Sequence, residues 1–212
     1  MMEFIKQPMA IERRSMELIA PYLAGLSLNE AEKKVYSRII HAAGDVEYAP
    51  IIRISETAVA AGIAALRGGA DIYTDVEMVR TGINKRKLAS FGGTVHCRIA
   101  DPDIAARAKA QGVTRSLMAM RSFGAALTGS VIAIGNAPTA LFEVLRLVRE
   151  EGVRPACIVG IPVGFVGAAD SKKELAENGL VPYITVEGTK GGSPIAAAAV
   201  NAMLYEIDDG RD

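Results

Sequence analysis

Ser130-Val131-Ile132-Ala133-Ile134-Gly135-Asn136-Ala137-Pro138-Thr139-Ala140-Leu141-Phe142 decides how this chain folds. Val131 to Ile134 is a short, uninterrupted apolar run, mostly β-branched, as expected of a strand buried on both faces. Gly135-Asn136 breaks it. A helix follows over residues 139–151, with Leu141, Leu145 and Val148 at helical spacing. Strand, glycine turn and helix together form half of a βαβ unit. Working outward, the same pattern recurs. Residues 71–76, 94–99, 156–161 and 183–187 also read as short buried strands bounded by Gly or Pro. Between them lie helical stretches over residues 56–67, 101–111, 115–127, 172–178 and 193–205. The alternation predicts an α/β fold. It is expected to be three-layer α/β/α with a mostly parallel central sheet, preceded by a helical N-terminal region of roughly 67 residues. Residues 1–212 carry no linker, repeat or low-complexity tract, so one domain is expected, with a short frayed tail over residues 208–212.

One helix of the N-terminal region holds an informative side chain. Residues 28–43 read as a helix, with Ser27 and Glu30 fitting a capping box and Gly44 fitting a stop. With each residue turned roughly 100° from the last, Val35, Tyr36, Ile39, Ile40 and Ala43 share one face. His41 falls on the opposite face, beside Ser37 and Arg38. A core histidine would have joined the apolar stripe. His41 therefore faces water or a polar cleft, and imidazole is the side chain suited to exchange a proton near neutral pH.

Composition narrows the function. Lys and Arg total 24 against 24 Asp and Glu, so no global field attracts DNA or an acidic membrane. Aromatic residues make up 5% and Trp is absent, which argues against nucleic-acid binding by base stacking. Cys97 and Cys157 do not make a disulfide framework and suit a reducing compartment. Residues 1–8 carry charge and lack an apolar core, unlike a signal peptide, and no apolar stretch reaches membrane-spanning length. The expectation is a cytoplasmic protein.

Parallel α/β sheets bind ligands where the strands end at their carboxyl side. Glycines gather there, at Gly135-Asn136, at Gly160 to Gly167 including Gly164, and at Gly188 to Ser193 including Gly191 and Gly192. Such loops allow close backbone approach and point N–H groups at an anionic ligand. Asp75 and Glu77 end the first of these strands on the same edge. Arg38, Arg53, Arg80, Arg115 and Arg121 are candidate partners for carboxylates, while Lys85-Arg86-Lys87 reads as a solvated turn. Ser15 shares a face with Ile11, Leu18 and Ile19, so its hydroxyl needs a partner, backbone or ligand. No phosphate loop, dinucleotide fingerprint or Gly-x-Ser-x-Gly elbow is present, which disfavours a nucleotide-dependent enzyme. His96 and Cys97 are adjacent on a strand and point to opposite faces, so no protein metal site is expected.

Several stretches together resemble the precorrin-8X methylmutase family, also met as cobalt-precorrin-8 methylmutases. They are Ile40-His41-Ala42-Ala43-Gly44-Asp45, Asp75-Val76-Glu77-Met78-Val79, Ala133 to Phe142, Gly160 to Lys172, and Lys190-Gly191-Gly192-Ser193. The resemblance implies an isomerase that moves a methyl group from carbon 11 to carbon 12 of a corrin precursor, giving hydrogenobyrinic or cobyrinic acid. It implies no cofactor, a corrinoid substrate and product, and a homodimer with active sites near the subunit interface. It also implies that His41 is the proton donor and that Ser15 and Arg115 contact substrate. A family threonine is replaced here by Asn84. The large apolar ring with its rim of carboxylates suits a broad cleft offering Arg38, Asp75, Asn84, Arg115, Gly135, Asn136, Gly164, Gly191 and Gly192. A carrier that binds corrinoids without turnover is the alternative.

Overall fold

A computed structural model describes residues 6–207; the expected frayed tail and residues 1–5 lie outside them. Six strands form one sheet: β1 Ile52–Ile54, β2 Ile72–Thr74, β3 Val95–His96, β4 Val131–Ile134, β5 Cys157–Gly160 and β6 Tyr183–Val186. Their spatial order is β1-β6-β5-β4-β2-β3. β2 to β6 run parallel, in register pairs such as Ile72 with Val131 and Ile132 with Ile158. β1 alone runs antiparallel, against β6. The mostly parallel α/β architecture is therefore as expected, and the wholly helical N-terminal region is not. Ile52-Arg53-Ile54 is too short to show a period and has one polar face, so β1 carries no strand signal in the sequence.

The helices are α1 Pro8–Leu23, α2 Glu30–Ala43, α3 Ala58–Arg67, α4 Glu77–Gly82, α5 Lys85–Ala89, α6 Pro102–Gln111, α7 Arg115–Phe123, α8 Pro138–Glu150, α9 Ala168–Glu177 and α10 Ser193–Tyr205. Strand alternation explains the layers. Val131, Ala133, Cys157 and Val159 point to one face, against Leu66, Val79, Ile39 and Val200 from the helices there. Ile132, Ile134 and Ile158 point to the other, against Leu141, Val144, Leu145 and Leu175. Because these strand residues are apolar on both faces, the sheet must be covered on both. Among the described residues no helix is long and apolar enough to cross a membrane.

Local chemistry sets the element ends. α2 starts two residues later than expected. Its cap is Asn29, whose side chain accepts from the Glu32 N–H while Glu32 returns a bond to the Asn29 N–H. This reciprocal pair uses two otherwise unpaired donors, so Ser27 and Glu30 are not the capping box. Gly44 ends the helix in the left-handed conformation. Lys85-Arg86-Lys87 is the opening of α5 rather than a turn.

Candidate active site

The chain runs from β2 outward to β3, then crosses back to β4 on the other side of β2. The crevice between β2 and β4 is thus where strand order reverses, the usual ligand site of such sheets. Here Asp75 occupies it. The side chain is fully buried. Its carboxylate accepts from the Gly135 N–H at 3.0 Å, the Asn136 N–H at 2.8 Å and the Ala137 N–H at 2.7 Å. Burial pushes its carboxyl above the ordinary range, and the three donors pull it back. The Asp75 carboxylate is thus turned inward to the backbone, and those three N–H groups are already bonded to it. Gly135 is structural as well. A Cβ there would lie 2.7 Å from Ser193 Cα and 2.7 Å from Val79 Cγ2. Its bareness lets the start of α10 press against the β4 loop. The Asn136 side chain stays exposed at this rim.

The next two glycine loops are joined. The Gly164 N–H donates to the Thr189 carbonyl at 3.1 Å, and the Gly192 N–H to the Ile161 carbonyl at 3.0 Å. Gly191 has φ of 154°, and a Cβ there would lie 2.5 Å from the Ile161 carbonyl oxygen. Only glycine permits that approach. Gly164 and Gly191 are half-buried and Gly192 is buried, so the two loops close on each other, with the exposed Phe165 and Val166 on their flank.

His41 comes to this edge through α2. Lys34 near the start of α2 pairs with Glu206, just beyond α10. At the other end Asp45, just past α2, pairs with Lys190, just before α10. α2 therefore lies along α10 in the opposite sense, and its last turn reaches the glycine loops. His41 is exposed there, with no side-chain hydrogen bond among the described residues.

One turn back, Arg38 and Ser37 line a cavity of about 730 Å³ between α1, α2 and the end of α10. Arg38 pairs with Glu12 at 2.5 Å and lies over the Tyr205 ring at 5.6 Å. Asn84 joins the same cluster: its amide donates to the Tyr205 hydroxyl at 3.3 Å, and its N–H donates to Asn201 Oδ1 at 2.8 Å. Asn84 also caps α5, accepting from the Lys87 N–H. Asparagine is among the preferred residues at such a cap. Ser15 satisfies itself, donating to the Ile11 carbonyl at 3.0 Å. The apolar face expected around it is only partly buried: Ile19 is covered, while Ile11 and Leu18 are exposed.

Three candidate arginines are spent on the chain's own carboxylates: Arg53 on Glu187, Arg80 on Glu77, and Arg121 on the buried Glu143. Arg115 differs. It opens α7, is exposed, and has no ion pair among the described residues. Thr114, its neighbour, bonds the Thr139 hydroxyl at 2.8 Å, which brings the start of α7 to the start of α8 beside Asn136. Sequence reasoning missed Tyr205 and Lys172. Tyr205 closes a helix of small residues. In the sequence Lys172 is an ordinary helix start, and a buried lysine leaves no mark in periodicity. His96 bonds Asp71 at 2.9 Å, apart from the glycine loops, and no metal-binding cluster occurs among the described residues. Cys157 lies in the core, its thiol pushed up to about 12 by burial.

This geometry has close relatives. The profile of the precorrin-8X methylmutase family matches residues 10–206. A precorrin-8X methylmutase of Pseudomonas aeruginosa is 43% identical over 209 residues, covering 97% of this chain and 99% of that protein. A cobalt-precorrin-8 methylmutase of Priestia megaterium is 40% identical over 204 residues, covering 96% and 90%. The crystal structure of a precorrin-8X methylmutase from Thermus thermophilus superposes with a TM-score of 0.85 at 38% identity, covering 93% of this chain and 95% of that one. The chain belongs to the precorrin-8X methylmutase family.

Proposed function

We propose that this isomerase of corrin biosynthesis moves a methyl group from carbon 11 to carbon 12 of precorrin-8 or its cobalt form, with His41 as the proton donor. The supporting observation is the exposed imidazole in the last turn of α2, at the edge formed by the joined Gly164 and Gly191-Gly192 loops. An imidazolium there gives a proton to the conjugated ring. The ring becomes electron-poor and the methyl shifts within the same molecule. The rearranged ring then releases a proton, so composition is unchanged. No nucleotide or methyl donor enters the balance.

The remaining roles follow from what each side chain has left to offer. Arg115 has a guanidinium to give a ring carboxylate. Arg38 can exchange Glu12 for a substrate carboxylate at the cavity rim. Asn136 offers its side-chain amide. The half-buried Gly164 and Gly191, with the buried Gly192 beneath, leave the joined loops low enough for a flat ring to lie over them beside Phe165 and Val166. Ser15 and Asn84 can contribute by giving up local bonds, whereas Asp75 and Gly135 support the loop from beneath. The unit is read as a cytoplasmic homodimer with sites near the subunit interface. The exposed Phe165 and Val166 and the two unpaired cysteines fit that picture.

The test is conversion of precorrin-8, with and without cobalt, followed by the change in visible spectrum. General-acid help is worth about 10²–10⁴-fold, so His41→Ala loses that much turnover while still binding the macrocycle. Full turnover in that variant removes His41 from the mechanism. Binding without conversion by the unaltered protein leaves a carrier.

A further inference from the structure

Two lysines take no part in the chemistry above, yet they are connected and end beside it. Lys172 on α9 is 1% exposed. Its ammonium donates to the main-chain carbonyl of Lys190 at 2.5 Å. A buried cation is tolerated only where a polar group meets it, and burial lowers its pKa to about 8. The carbonyl it grips belongs to the loop that continues into Gly191 and Gly192. The Lys190 side chain carries the connection onward. Its Nζ lies 2.6 Å from Asp45 Oδ2 and 2.9 Å from Glu47 Oε2, and 5.4 Å from the centre of the Tyr48 ring. Asp45 directly follows Gly44, which ends the helix that bears His41. Because two carboxylates already share the Lys190 ammonium, it is not left over for a substrate carboxylate.

We propose that Lys172 and Lys190 form a strut that sets the end of α2, and with it His41, against the glycine loops. Both are positioning residues for the proton transfer proposed above, and the inference rests on that reading. The outer half of the strut is a partly exposed ion pair, of a kind that adds little to stability. Proton transfer is far less forgiving: a displacement of about 1 Å can cost about 10²-fold in rate. The strut should therefore matter more for turnover than for folding.

Steady-state kinetics on Lys190→Met separates the two. The expected result is kcat lowered by about ten- to a hundredfold, KM changed by less than about threefold, and a melting temperature close to that of the unaltered protein. Lys190→Arg, which keeps a cation within reach of both carboxylates, should recover most of kcat. The double variant Asp45→Asn, Glu47→Gln should reproduce the loss without touching either lysine, and Lys172→Met tests the inner end. Unchanged kcat in Lys190→Met overturns the strut, as does a loss that Lys190→Arg fails to recover. If His41→Ala retains turnover, the proton-donor reading fails first. If His41→Ala is inactive and Lys190→Met is fully active, the strut alone fails.

Discussion

Removing the Asp75 carboxylate should loosen the edge on which the site is built. In Asp75→Ala, three N–H groups lose their acceptor. That of Gly135 is buried and finds no water, at a cost of about 1–3 kcal/mol. Those of Asn136 and Ala137 lie nearer the surface, where water replaces the carboxylate, and each loses about 0.5–1.5 kcal/mol. The sum is about 2–6 kcal/mol, with a central value near 4 kcal/mol. With a denaturant slope of about 2 kcal/mol/M, the urea midpoint should fall by about 2 M while the slope stays constant. Asp75→Asn should lose nearly as much, because its amide turns a donor toward donors. Circular dichroism during urea titration provides the measurement. A midpoint shift under about 0.5 M in Asp75→Ala, which at that slope is about 1 kcal/mol, would refute the idea that this carboxylate secures the β4 loop.

Three more outcomes follow from other groups. Arg115→Ala should weaken macrocycle binding by about 1–3 kcal/mol and flatten its salt dependence; isothermal titration at two ionic strengths checks both. Gly135→Ala drives a methyl into Ser193 and Val79 and should cost about 1–3 kcal/mol in thermal unfolding, whereas Gly25→Ala, with nothing within 4 Å, should be silent. Lys172 holds its proton less well folded, at about 8, than unfolded, at 10.5. Between those values the unfolded chain binds more protons, so this group adds stability as pH rises and withdraws it as pH falls. Lys172→Met should remove a slope of up to about 1.4 kcal/mol per pH unit relative to the unaltered protein in denaturant titrations from pH 8 to 10.

Strands whose residues are apolar on both faces were legible at once, since Val131 to Ile134 can hardly be anything but a central strand. So was the face of His41, because Val35, Ile39 and Ile40 define the opposite side of α2. What stayed hidden depends on pairing across the chain. Ile52-Arg53-Ile54 becomes a strand only because β6 lies beside it. Asp75 and the N–H groups of Gly135 to Ala137 both read as ligand-facing while considered singly. Set together they satisfy each other. The same holds for the arginines. Arg53, Arg80 and Arg121 looked equal to Arg115 until their carboxylate partners came into view.

The order of synthesis runs against the order of assembly. α2 and β1 leave the ribosome early, yet α2 lies along α10 and Ile54 pairs with Ile184. A nascent chain must therefore carry Val35, Ile39, Ile40 and Ile52 without the cover of α10 and β6 until nearly all of it has been translated. Shortening the carboxyl terminus into α10 would deprive the first-made segment of its resting place, and the histidine-bearing helix would be the part left adrift.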